Sequence, residues 1–454
     1  LVALGFAAQA APLAPADICA GHELEKKPLT SGDLVFADHF LWKVTSKEGK
    51  ASYVLGLTHG VPAITARDWN WLFLLLKKSR LYVSEIPLRS ADLTELAELQ
   101  NSTKSIESEL SPEFLKRLDQ ALTERNLRLE EMKTKQPWAI YGPLGTYLER
   151  GFIGIDQILY AQAEAFNRPI KPLETVRELE AHFHEAFDRR FHLEVLKDTL
   201  CALPLVMEQS KDMVSTFVNQ RPLEHVKAGF GLVSRSSNRS EIFRAKLVND
   251  RNKVFAERLG DVLREGGVFA TMGALHLVGE EGLLQLLNKK GFSVDPVEPD
   301  SLAQELVATA DLQPVRDSIE EAARYIQTVS KFNGVDFAKI PVRLMTSREL
   351  DQKVCGGANC GAKALYTEDE LIVSTSLLSQ LTSNSIFAQS VMVHELTHHA
   401  QRVNSGLKGQ VSCSQWKEWE IEAMTVQSQY LAVYGKTLPI SPSHYGAACK
   451  SEGP

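Results

Sequence analysis

Short apolar runs that close on glycine-containing turns, separated by longer stretches of helical spacing, constrain this chain most. Tyr53–Leu57 lies in ASYVLGLTHG, residues 81–88 read LYVSEIPL, and residues 268–279 read VFATMGALHLVG. Each is too short for an ordinary buried helix and long enough for a buried strand. Between them, residues 91–132 and 176–265 carry Leu, Glu and Lys at helical intervals. Strands separated by helices predict an α/β layered fold. The strand signal fades between prolines at 298–314. Beyond it the pattern predicts a helix (SIEEAARYIQTVSKF), a strand (IPVRLMTS), a hairpin around Glu368 and Asp369, and two long helical regions. The expected organisation is a leader over 1–27, an α/β domain over 28–298, a linker over 299–314 and a smaller α+β domain over 315–454.

A chain of 454 residues is long enough for two or three domains. Its formal net charge of −7, with no dense Lys/Arg run, argues against a nucleic-acid partner. The first residues run apolar into Ala8-Gln9-Ala10 and then Ala/Pro-rich sequence, which matches the end of an export signal. No later segment has the roughly 18 uncharged apolar residues of a membrane-spanning helix. Six cysteines, at 19, 201, 355, 360, 413 and 449, fit an exported, periplasmic or secreted chain with disulfides. Cys355 with Cys360, Cys413 with Cys449, and Cys19 with Cys201 are plausible pairs.

The most specific chemical signal is Val393-His394-Glu395-Leu396-Thr397-His398, an HExxH motif in a helical pattern. Positions four apart share a helix face, so His394 and His398 can reach one metal. Glu395 lies between them and can act as general base on the metal's water. A third ligand is needed, and the following helical region offers Glu418, Glu420 and Glu422. Here the segment resembles the gluzincin metallopeptidases, some of which take the third ligand from an E-x-x-A element. That resemblance points to Glu420 of Glu420-Ile421-Glu422-Ala423, with Glu422 the alternative, about 200° away round the helix. His399 sits about 100° off the ligand face and reads as structural or substrate-facing. The expected metal is Zn2+, the expected partner a peptide or protein substrate.

Two GxxH elements, Gly56-Leu57-Thr58-His59 and Gly273-Ala274-Leu275-His276, each end a buried strand, and Glu85 ends another. Strand ends are where α/β folds place reactive groups. Two His and a Glu there can form a second metal site; the alternative is a pair of hydrogen-bonded core histidines. The run LWKVTS…YVLGLTHGVP, LYVSEIP, GIDQ, KPLET, DRN and GGVFATMGALHLVGEEGLLQLLNKKGFSVDPV resembles the TraB/PrgY/GumN family, which is related to the Tiki proteases. The resemblance implies a metal-dependent hydrolase site of His59, Glu85 and His276, holding a divalent metal of unknown identity, with Arg251 and Asn252 in support. The family's acidic strand often continues as E-x-D; here it reads Glu85-Ile86-Pro87 and lacks the second carboxylate. His182 and His184 read as surface or packing residues, and Trp69 and Trp71 as core. The reading that unites these signals is an exported zinc metallopeptidase with a TraB/GumN-like domain expected to be a second metal-dependent hydrolase. The competing reading is a ligand-binding or regulatory protein with a structural or degenerate zinc site.

Overall fold

The computed structural model describes residues 18–58, 60–147, 152–357, 360–367, 370–407, 409 and 411–438. The expected hairpin tip at Glu368 and Asp369, His59, Cys449 and the leader up to residue 17 lie outside the described residues. Two compact units emerge. The first comprises Leu1–Val61, Arg80–Tyr160 and Pro169–Val297; the second comprises Pro62–Ser79, Ala161–Arg168 and Glu298–Pro454.

A six-stranded mixed sheet organises the first unit, with the α/β character expected from the sequence. Across the sheet the strands run Ser293–Pro296, Leu41–Thr45, Ala51–Leu57, Val268–Gly273, Leu81–Ser84 and Ile170–Pro172. The last four are mutually parallel; Leu41–Thr45 runs against its neighbours on both sides. The register sets Leu57 opposite Gly273, and Ser84 opposite both Thr271 and Pro172. The C-terminal ends of the four parallel strands therefore lie along one edge of the sheet. His276, Glu85 and Glu174 all follow these ends directly.

The helix Arg251–Leu263 covers the sheet with a buried face of Phe255, Ala256, Leu259 and Leu263, at the spacing of one helical stripe. They pack with Val54, Val83, Ala270, Leu284 and Leu287 in one core. A second core joins the helices Pro112–Thr123, Pro137–Gly145 and Arg189–Cys201 through Leu118, Leu122, Ile140, Leu196 and Leu200. Disulfides join Cys355 to Cys360, as their closeness in sequence suggested, and Cys19 to Cys201. Cys413 is disulfide-bonded as well. No helix among the described residues is long and apolar enough to cross a membrane.

The second unit holds a three-stranded sheet. Val342–Met345 pairs parallel to Leu371–Ser374, which pairs antiparallel to Ala364–Tyr366 at the edge. The segment expected as a linker is ordered as helix Pro299–Ala308, followed by Gln313–Val329. The apolar helix Leu72–Lys78 packs against Pro299–Ala308 and Thr375–Thr382, and so belongs to this unit. Its buried residues Leu72 to Leu76 cover all sides of the helix, which explains why it needs neighbours on more than one face. Trp69 and Trp71 are buried and stacked nearby.

Phe255 has no solvent exposure and stands where helix and sheet meet. Phe255→Ala is expected to lower the unfolding free energy by about 3–5 kcal/mol, through lost transfer energy and the cavity left behind. Urea unfolding followed by circular dichroism checks this.

Candidate metal centre

The helix Ile386–Ser405 carries the HExxH motif. The Ser385 side chain caps its start by accepting from the Ala388 N–H, and Gly406 ends it in the left-handed region at φ 66°. Met392, Val393, Leu396 and Ala400 bury one face, which leaves His394, Glu395 and His398 half-buried beside it. The helix Cys413–Val433 packs along it, burying Ala423, Met424 and Gln427. Inside that contact Gln427 Nε2 donates to Ser390 Oγ at 3.2 Å, which fixes how far one helix can slide past the other.

That packing brings three ligand atoms together. His394 Nε2 and His398 Nε2 are 3.2 Å apart. Glu420 Oε1 lies 3.1 Å from His398 Nε2, and Oε2 lies 3.5 Å from His394 Nε2. Zinc bonds of 2.0–2.1 Å to nitrogen imply an edge of about 3.3–3.4 Å between donors of a tetrahedral site. The observed triangle has that size, and its donor set of two imidazoles and a carboxylate suits zinc. Gln401 Oε1 accepts from His398 Nδ1 at 2.9 Å, so the Nε2 lone pair faces the triangle. Gln401 Nε2 in turn donates to the Trp419 carbonyl and to Glu422. Glu422 pairs with Lys331 at 2.8 Å and points away from the histidines; Glu420 reaches them. Burial disfavours charge on both Glu420 and His398. Their hydrogen bonds and opposite charges outweigh it, holding Glu420 well below the usual carboxylate range and His398 above the usual imidazole range.

Glu395 Oε2 accepts from the backbone N–H of Tyr366 at 2.7 Å. The Tyr366 hydroxyl donates to His399 Nδ1 at 2.8 Å, and His399 Nε2 donates to the Asp336 carbonyl at 3.1 Å. His399 is thus engaged in tying the edge strand to the helix. Asp351, Cys355 and Cys360 form a second cluster of ligand-type atoms, but the disulfide takes both sulfurs that would ligate as thiolates.

At the sheet edge of the first unit, the two GxxH elements come close through Gly56. A Cβ there would stand 2.8 Å from Ala274 Cα and 2.9 Å from Leu277 Cδ1, so only glycine fits the contact. Glu85 Oε2 accepts from the Gly273 N–H at 2.9 Å, and His276 Nε2 lies 3.6 Å from Glu85 Oε1. Between them stands the Arg251 guanidinium, with Nη2 2.6 Å from Glu85 Oε1 and Nη1 3.1 Å from His276 Nε2. Asn252 Oδ1 accepts from His276 Nδ1 at 2.7 Å. The structure therefore brings Glu85, His276, Arg251 and Asn252 together, with the Arg251 guanidinium between Glu85 and His276; His59, the third residue of the expected set, lies outside the described residues.

Residues 40–296 match the model of the TraB/PrgY/gumN family, more than half of the chain. The chain belongs to the TraB/PrgY/gumN family. The match ends before the HExxH helix. No curated protein and no solved structure matches this chain.

Within the TraB/PrgY/gumN unit the sequence reading missed Glu174, the acidic residue of KPLET. It follows the parallel strand Ile170–Pro172, is 2% exposed, and binds Arg251 with both carboxylate oxygens. His182 Nε2 lies 3.6 Å from it, so this histidine faces the cluster. Burial raises the Glu174 carboxyl to about 7, against the pull of Arg251. The folded state thus binds this proton more tightly than the unfolded chain, where the carboxyl titrates near 4.5. Its stabilising contribution is full at acid pH and is lost as pH rises from about 4.5 to about 7. The loss is on the order of 3 kcal/mol. Glu174→Gln is expected to match the parent protein near the acid end of that window and to exceed it in stability above the window. Unfolding free energies across that range check the sign.

Proposed function

We propose that this member of the TraB/PrgY/gumN family is an exported metal-dependent hydrolase whose HExxH helix pair cleaves peptide bonds. The observation that carries the reading is the triangle of His394, His398 and Glu420, sized for zinc, with Glu395 on the same helix. Family membership supports a hydrolase, and the disulfides support an extracytoplasmic setting.

Two helices would hold the metal, with His394 and His398 from one and Glu420 from the other. Bound zinc supplies a Lewis acid that polarises the scissile carbonyl and makes water more acidic. Glu395 acts as general base, taking a proton at its carboxylate and returning it to the leaving amine nitrogen. The Tyr366 N–H holds one carboxylate oxygen and so fixes the orientation of the other. Gln401 keeps His398 in the tautomer that ligates through Nε2. The strand Ala364–Tyr366 ends the sheet and lies against the HExxH helix. It offers an extended peptide backbone hydrogen bonds beside Glu395, in the manner of strand addition.

The test is a pair of variants assayed on a quenched-fluorescent peptide library, with zinc measured by elemental analysis. His394→Ala with His398→Ala is expected to lose about one zinc per chain and all turnover. Glu395→Gln is expected to keep the zinc and lose roughly 10²–10⁴-fold in turnover. Full turnover with Gln at 395 would remove that residue as the base.

A further inference from the structure

Arg251 is nearly fully buried at 6% exposure, a costly place for a charge unless every donor is met. Guanidinium has five N–H donors, and this structure accounts for each. Nε donates to Glu174 Oε2 at 3.2 Å. One Nη1 hydrogen goes to the Leu247 carbonyl at 3.1 Å, and the other to His276 Nε2 at 3.1 Å. The two on Nη2 go to Glu85 Oε1 at 2.6 Å and to Glu174 Oε1. The Leu247 carbonyl belongs to a π-helical turn, Ala245–Asp250, that leads directly into the helix bearing Arg251.

The acceptors matter as much as the donor. Asn252 Nδ2 donates to the Glu281 carbonyl at 2.9 Å, which turns Asn252 Oδ1 towards His276. His276 Nδ1 must then carry the proton, and the Nε2 lone pair accepts from Arg251. That lone pair is the atom a metal would need. Glu85 is committed likewise, one oxygen to Arg251 and the other to the Gly273 N–H. Two carboxylates and one imidazole thus surround a cation already, and that cation is a side chain.

We propose that Arg251 is the resident cation of this centre, standing where the donor set of Glu85, Glu174 and His276 would otherwise hold a divalent metal. The centre is metal-independent. Arg251 spends all its donors inside the cluster, so it does not bind an anionic substrate either. It is a positioning residue, orienting Glu85 and fixing the tautomer of His276. Glu174 accepts from Arg251 with both oxygens and so meets two of the buried guanidinium's donors at the strand ends.

The test begins with a His394→Ala/His398→Ala background, which removes the C-terminal ligands. That protein, with and without Glu85→Gln, is loaded separately with zinc, manganese and cobalt, desalted and taken for elemental analysis. Equal metal content in the two supports the proposal; loss of about one equivalent on Glu85→Gln overturns it. In the same background Arg251→Ala leaves the acceptors without their cation. Its thermal midpoint is expected to rise when manganese or zinc is added, while the parent's stays fixed. An Arg251→Ala protein no more responsive to metal than its parent overturns the placement of Arg251. Should Arg251→Ala fail to fold with or without metal, the Glu85→Gln comparison decides by itself, because Gln keeps the acceptor oxygen for Arg251.

Discussion

Parallel pairing between strands far apart in the chain is the constraint on which the first unit depends. Ala51–Leu57 and Val268–Gly273 are separated by about 200 residues, yet they lie side by side with Leu57 opposite Gly273. Parallel neighbours need a crossover between them, and here much of the unit is that crossover. Gly56 lets the first strand press against the turn Ala274–His276. Shifting the pairing by one residue would turn every side chain to the other face and disperse the cluster at the strand ends.

The two candidate centres solve the problem of burying charge in different ways. At the strand ends a guanidinium satisfies two carboxylates and one imidazole, and it is held at the start of the helix whose same face, from Phe255 on, fills the core. Between the helices Ile386–Ser405 and Cys413–Val433, two imidazoles and one carboxylate converge, and among the described residues Glu420 pairs with the two imidazoles. The first arrangement is complete from the chain's own groups. The second has the spacing of a site completed from outside, and its flanking contacts through Gln401 and Tyr366 hold His398 and Glu395 in place.

The sequence made the two centres legible to different degrees, for physical reasons. His394, Glu395 and His398 share one helix, so four-residue spacing was enough to place them. The E-x-x-A resemblance pointed to Glu420 with Glu422 left as the alternative, and the structure turns Glu422 to Lys331 and Gln401. Glu174 was not legible, because nothing local in KPLET marks it. Its role arises only when Ile170–Pro172 pairs beside Leu81–Ser84, a neighbour almost 90 residues earlier. Arg251 was legible as a neighbour of the site but not as its centre, since donor counts require coordinates. The single long helical region expected over 376–403 divides at Ser383 and Asn384, where Asn384 takes φ 55° and Ser385 caps a new helix. That Ser-Asn-Ser run was a readable turn signal that apolar periodicity on both sides obscured.

The bond between Cys19 and Cys201 encloses 182 residues of sequence separation. A peptidase that clips an exposed loop inside that span cuts the backbone without releasing a fragment. The severed ends stay joined through sulfur, and the cores around them keep their partners at high effective concentration. While the disulfide stays oxidised, a nick inside that span costs the backbone's continuity but no mass, and reduction is the event that finally separates the pieces.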